Sequence, residues 1–302
     1  MNNYEEEYTG INNSERYLMI GLSLITRVAC SRLTSFADEF WLRELPPVAA
    51  NILLLFLYAL SNLLPLSILY FFVIKKDERI VSSRSWINVR GENGKKLIGA
   101  VSALGIAFLA GAVGSLVTAL FEKIGLSSAS SSLVSSSGAL GIAFYFVYSV
   151  ILVPIFEELF YRTALLRSLE VDSKATAVVF SALFFALFHS PSSMIYAFAS
   201  GLVFGALALR YGITVTLCAH ALNNLISTCL MVLGRSTDNE ILCYIAKCAL
   251  GIAFAITAIV WCCLGCHKVF TSLGKVKWKV LASPAIMGFI AFVLFIAVCA
   301  FI

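Results

Sequence analysis

Glu157 and Glu158 stand side by side, with Arg162 four residues after the second, in the run YFVYSVILVPIFEELFYRTALLRSL, which is otherwise apolar enough to lie in a bilayer. A carboxylate at that depth costs about 2.5–3.5 kcal/mol or more, so those that occur usually face a bundle interior or a wet cavity and belong to a functional site. Two later apolar runs add His189, in SALFFALFHS, and His220, in TVTLCAHALNN, which runs on through Asn223 and Asn224. Taken singly, each His or Asn reads as a packing residue bonding across a helix bundle. Taken together, they place nearly all the intramembrane ionisable groups in a few successive apolar segments, which packing alone does not explain.

The spacing suggests a division of labour. Glu158 and Arg162, at i and i+4 in the acid-before-base order, share a helix face and can pair. Glu157 points about 100° away. A paired Glu158 braces the helix as an ionised group, whereas an unpaired Glu157 suits a general base for water. His189 is expected to share or orient that water. His220 and Asn224, again i and i+4, can present a ring N–H and an amide NH₂ to a tetrahedral oxyanion. These are the parts for hydrolysing an amide with water. No nucleophile need come from the protein: no serine stands in a G-x-S-x-G elbow, and Ser181 and Ser190 are expected to bond backbone carbonyls.

Elements of membrane length must hold these groups. The chain has 302 residues, 60% hydrophobic and 13% charged, with a mean hydropathy of +0.91. That describes a polytopic, all-α membrane bundle and excludes a soluble domain. Apolar runs at 46–74, 97–121, 139–169, 173–190, 193–210, 213–234, 241–264 and 281–302 predict about eight transmembrane helices. A further stretch, 17–36, carries Arg27 and Arg32 and is expected to be an interfacial or tilted helix. The chain divides into a polar acidic tail at 1–16 with no signal-peptide pattern, N-terminal helices and a basic loop at 17–138, a core at 139–234 and C-terminal helices at 235–302. At 1.5 Å per residue, Glu158, His189 and Asn224 lie about 18, 22 and 18 Å from one common face, and His220 about 12 Å. All can meet in one layer.

Charge orients the bundle. The 75–96 loop holds Lys75, Lys76, Arg79, Arg84, Arg90, Lys95 and Lys96, and alternation puts Arg167, Lys174, Arg210, Lys268, Lys275, Lys277 and Lys279 on the same face. The opposite loops offer Lys123 and Arg235. The basic face is expected to be cytosolic, with the Ser-rich loop SSASSSLVSSSG on the other side. The net charge of +5 is spread over loops, with no basic stripe interleaved with aromatics, so nucleic acid is not an expected partner. The bilayer is.

Of the nine cysteines, most lie in apolar runs and pack as hydrophobes. Cys263-Leu-Gly-Cys266-His267 has the spelling of a c-type haem attachment, yet it falls beside Lys268 at an expected cytosolic helix end, where packing or acylation is the plainer reading. Two histidines and a glutamate could hold Zn²⁺, although no H-E-x-x-H pair is present. No cofactor is expected.

Glu157-Glu158-x-x-x-Arg162, then Phe185-x-x-x-His189, then His220-x-x-x-Asn224 resemble, in order, the three motifs of the CAAX protease and bacteriocin-processing (CPBP, or Abi) family, to which the Rce1-type prenyl endopeptidases belong. The matched core runs from about 139 to 234. The resemblance implies a glutamate-dependent intramembrane endopeptidase in which Glu157 and His189 activate water and His220 with Asn224 form the oxyanion hole. It implies a membrane-associated protein or peptide substrate, prenylated in some members, and nothing in the helices outside the core marks the prenyl-specific enzymes. Without an endoplasmic-reticulum retention signal after Ile302, a bacterial plasma membrane is the expected location. The other reading is a catalytically inactive scaffold, immunity protein or proton-relay transporter built on the same polar core. A relay needs no oxyanion donors, and a transporter would show an internal repeat.

Overall fold

The computed structural model describes residues 10–81, 93–123, 138–236, 240–263 and 272–299. Among them every regular element is helical. In chain order these are α1 (Asn13–Phe40), α2 (Pro47–Ile74), α3 (Asn93–Lys123), α4 (Ala139–Glu170), α5 (Lys174–Leu187), α6 (Pro191–Tyr211), α7 (Ile213–Ser236), α8 (Glu240–Cys263) and α9 (Pro284–Cys299). Proline opens α2, α6 and α9 at their first position, where its missing N–H costs nothing. The Ser-rich loop, the Arg84 and Arg90 part of the basic loop, the acidic tail and the Cys266-His267 end of the haem-like spelling lie outside the described residues.

Five helices are long and apolar enough to cross a membrane: Pro47–Ile74, Gly94–Gly114, Ala139–Glu170, Ser193–Tyr211 and Ile213–Leu233. Two further apolar helices, Lys174–Leu187 and Pro284–Ile296, are shorter. The run expected to be helical at 173–190 therefore stops early. With 14 residues, α5 extends about 21 Å, less than a hydrocarbon core of about 30 Å. Ser190 precedes Pro191 and is extended, with ψ 151°, as a residue before proline prefers.

The reading of 17–36 as an interfacial helix is corrected. α1 packs lengthwise on α2 and α9, with Ile20 and Leu24 fully buried and the Ser23 hydroxyl donating to the Pro65 carbonyl of α2 at 2.7 Å. Gly21 lets α9 approach closely, because a Cβ there would lie 2.5 Å from the Ala285 side chain. The N-terminal end of α1 is fastened by charge. Arg16, fully buried, donates to Asp172 at 2.9 Å. Tyr17 donates to the same carboxylate at 2.8 Å. Lys279 takes its other oxygen at 2.8 Å. Burial alone would raise the Asp172 carboxyl, but the Lys279 ammonium, the Arg16 guanidinium and the Tyr17 hydroxyl outweigh it and hold the group below the usual carboxylate range. A second seam joins the same region, with Ser173 donating to the Lys275 carbonyl at 2.8 Å.

α4 is not a uniform α-helix. It widens into π-helical turns at Val147–Leu152 and Glu158–Leu165, on either side of Pro154. A proline inside a helix removes one backbone donor, and π-turns often accompany functional sites. Both candidate glutamates lie at this irregularity.

Candidate active site

Glu158 is fully buried, and both of its oxygens face cations or donors. The His220 Nδ1 lies 3.0 Å from Oε1, and the Arg162 Nε lies 3.7 Å from Oε2. Arg162, itself 2% exposed, donates from Nη1 to the Ser181 hydroxyl at 3.1 Å and lies over the Phe185 ring. Ser181 in turn donates to the Tyr161 carbonyl at 2.8 Å. The i, i+4 pair anticipated from the spacing is thus present, inside a network that joins α4, α5 and α7. Ser190, also expected to reach a carbonyl, donates instead to the Ser193 hydroxyl at 3.2 Å.

Glu157 is turned to the other side, onto the wall of a cavity of about 460 Å³ that it shares with Arg27, Asn62, Tyr148, His189 and Asn224. The expectation of an unpaired Glu157 is corrected here. Arg27 Nη2 lies 3.8 Å from its Oε1, and His220 Nε2 lies 3.7 Å from its Oε2. Arg27 comes from α1, outside the motif core. Its guanidinium is held flat by cation–π contacts to Phe160, Tyr161 and Phe188 at 4.8, 4.9 and 5.1 Å. Its buried Nη1 has no hydrogen-bond partner among the described residues. The signal for it was present in the sequence: Ser23, Arg27, Ser31 and Thr34 recur at helical spacing opposite the apolar Ile20, Leu24 and Val28.

His189 follows the end of α5, and its Nδ1 lies 2.9 Å from the Phe185 carbonyl. A carbonyl only accepts, so Nδ1 carries the proton and Nε2 of the neutral ring is left as an acceptor. Asn224 donates from Nδ2 to the Ser149 carbonyl at 2.8 Å. Asn223 donates to the Asn224 Oδ1 at 3.2 Å, which settles which way the Asn224 amide faces, and also donates to the Tyr196 hydroxyl. Both hydrogens of the Asn224 amide cannot be used on one carbonyl. One stays available to the cavity.

The six residues singled out in the sequence therefore fall into two tiers. Glu157, His189 and Asn224 line the cavity, while Glu158, Arg162 and His220 form a buried polar layer behind it. His220 bridges the tiers, because its two nitrogens face one glutamate each. Among the described residues no group of three His, Cys, Asp or Glu side chains is placed to hold a metal ion. A dication beside Glu157 would also face the Arg27 guanidinium.

No curated protein and no solved structure matches the chain. Residues 139–226, which span both glutamates, both histidines and Asn224, match the family model of type II CAAX prenyl endopeptidase Rce1-like proteins and are a domain of that family.

Proposed function

We propose that the protein is an intramembrane endopeptidase that attacks a peptide carbonyl with water held between Glu157 and His189. The observation that carries this reading is the convergence of Glu157, His189 and Asn224 on the wall of one cavity, with His220 reaching it from a buried anchor on Glu158. Water gives a proton to the Glu157 carboxylate or the open Nε2 of His189 as its oxygen bonds the carbonyl carbon. The oxyanion so formed is met by the free Asn224 N–H and by His220 Nε2. Because Nδ1 of His220 is committed to Glu158, donation from Nε2 requires the imidazolium form, which the Glu158 carboxylate supports. Two carboxylates, Arg27, Arg162 and that imidazolium leave one positive charge over, which the oxyanion neutralises. The tetrahedral species then collapses, the C–N bond breaks, and the departing amine takes back the proton.

In this reading α2 to α9 make eight membrane crossings, with the basic loops in the cytosol of a bacterial cell. Substrate specificity is tested directly. Purified protein in detergent is incubated with prenylated and unprenylated C-terminal peptides, with Glu157→Ala and a chelator as arms. Cleavage by the wild type that is lost in Glu157→Ala and insensitive to chelator supports the reading. Cleavage that survives Glu157→Ala sinks the assignment of the base, and loss with chelator reversed by Zn²⁺ favours a metal hydrolase.

A further inference from the structure

The cavity runs in one direction from Glu157. Along α1, Ser31 and Ser35 follow Arg27 by about one and two turns, away from the end fastened at Arg16. Along α7, Ser227 lies beyond Asn224, away from Gly212. Along α4, Tyr145 lies about 18 Å before Glu157, away from Glu170. All of these residues line the cavity. Its inner end, at Arg27 and Asn62, is buried, whereas Ser31, Ser35 and Ser227 are exposed.

The opening has a cause in the helix lengths. Because α5 stops at Leu187, its tip at Phe188 and His189 forms the floor of the cavity, and no turn of α5 fills the space beyond. The mouth carries hydroxyls. The ends that point the other way hold Lys75, Lys76, Lys174, Arg210, Lys275, Lys277 and Lys279. Arg43, Lys123 and Arg235 are on the mouth side. Such an imbalance sets the basic side in the cytosol.

We infer that the site is entered from the face opposite the basic loops, so that, given the hydrolytic reading above, its substrate is a polar peptide segment presented on the non-cytosolic side of the membrane. Cytosolic C-termini are then the wrong class of substrate for this chain.

The test reads access without turnover. Ser35→Cys, Ser227→Cys and, as the opposite-face control, Lys76→Cys are expressed in a bacterial inner membrane. A membrane-impermeant thiol reagent is added to intact spheroplasts or to permeabilised ones, and adducts gained over the wild type are located by peptide mass spectrometry. Ser35→Cys and Ser227→Cys should each gain an adduct in intact spheroplasts and Lys76→Cys only after permeabilisation. Labelling of the two mouth variants only after permeabilisation, or in neither condition, overturns the inference. The two variants lie on different helices, so one that fails to fold leaves the other decisive. A chain that labels as expected yet cleaves nothing refutes the hydrolytic reading and leaves the direction of entry standing.

Discussion

His220 is fastened to Glu158 and only approaches Glu157: its Nδ1 lies 3.0 Å from the Glu158 Oε1, and its Nε2 3.7 Å from the Glu157 Oε2. Adjacent carboxylates therefore have unequal duties. Glu158→Ala leaves Arg162 buried without its carboxylate, which should cost about 3–5 kcal/mol of stability. A lowered thermal midpoint in detergent, together with lost activity, is the expected result, and an unchanged midpoint would refute the bracing role.

Glu157→Gln should behave differently. The side chain keeps its shape at the edge of the cavity, so the midpoint should stay close to that of the wild type while cleavage falls about 10²–10⁴-fold, the usual worth of a positioned base. Full activity in this variant would remove Glu157 from the chemistry.

Asn224→Ala removes a candidate oxyanion donor. Peptide turnover should fall about 10²–10³-fold in kcat with KM nearly unchanged, since the donor acts on charge that develops after binding. A change confined to KM would make Asn224 a substrate-binding residue.

Arg27→Met removes the cation beside Glu157, while Arg27→Lys keeps the charge without the flat guanidinium between aromatic rings. If Arg27 positions Glu157, kcat should fall in the Met variant and recover partly in the Lys variant. Equal loss in both would assign the effect to packing against Phe160 and Phe188.

The Asp172 clamp predicts an acid limit to stability. Its carboxyl is held below the usual range when folded, so its contribution is complete above about pH 4, the unfolded value, and is lost as pH falls through the lower folded value. Thermal midpoints measured in detergent from pH 7 to pH 3 should fall at the acid end for the wild type. Asp172→Asn should start lower and follow a flatter curve.

The polar core was legible because an ionisable residue in an apolar run has few structural excuses. Depth along the helices put Glu158, His189 and Asn224 in one layer before any coordinates. Arg27 was visible too, but two arginines lower the hydropathy of α1 enough to make it look interfacial. Only partners on α2 and α9, distant in sequence, decide that it is buried. Likewise, Ser190-Pro191 marks a helix break, yet the apolar run continues through it and hides how short α5 is. The facing of His220 was beyond periodicity, because a ring on the right helix face can still turn either nitrogen to either glutamate.

One carboxylate, Asp172, holds both Arg16 near the start of the chain and Lys279 near its end. A ribosome makes those two cations last but for twenty-odd residues and nearly first, so α1 cannot be locked until synthesis is almost finished. Since α1 supplies the Arg27 wall of the cavity, the hydrolytic centre is completed only as the nascent chain is released, and a truncated product would be inserted but idle.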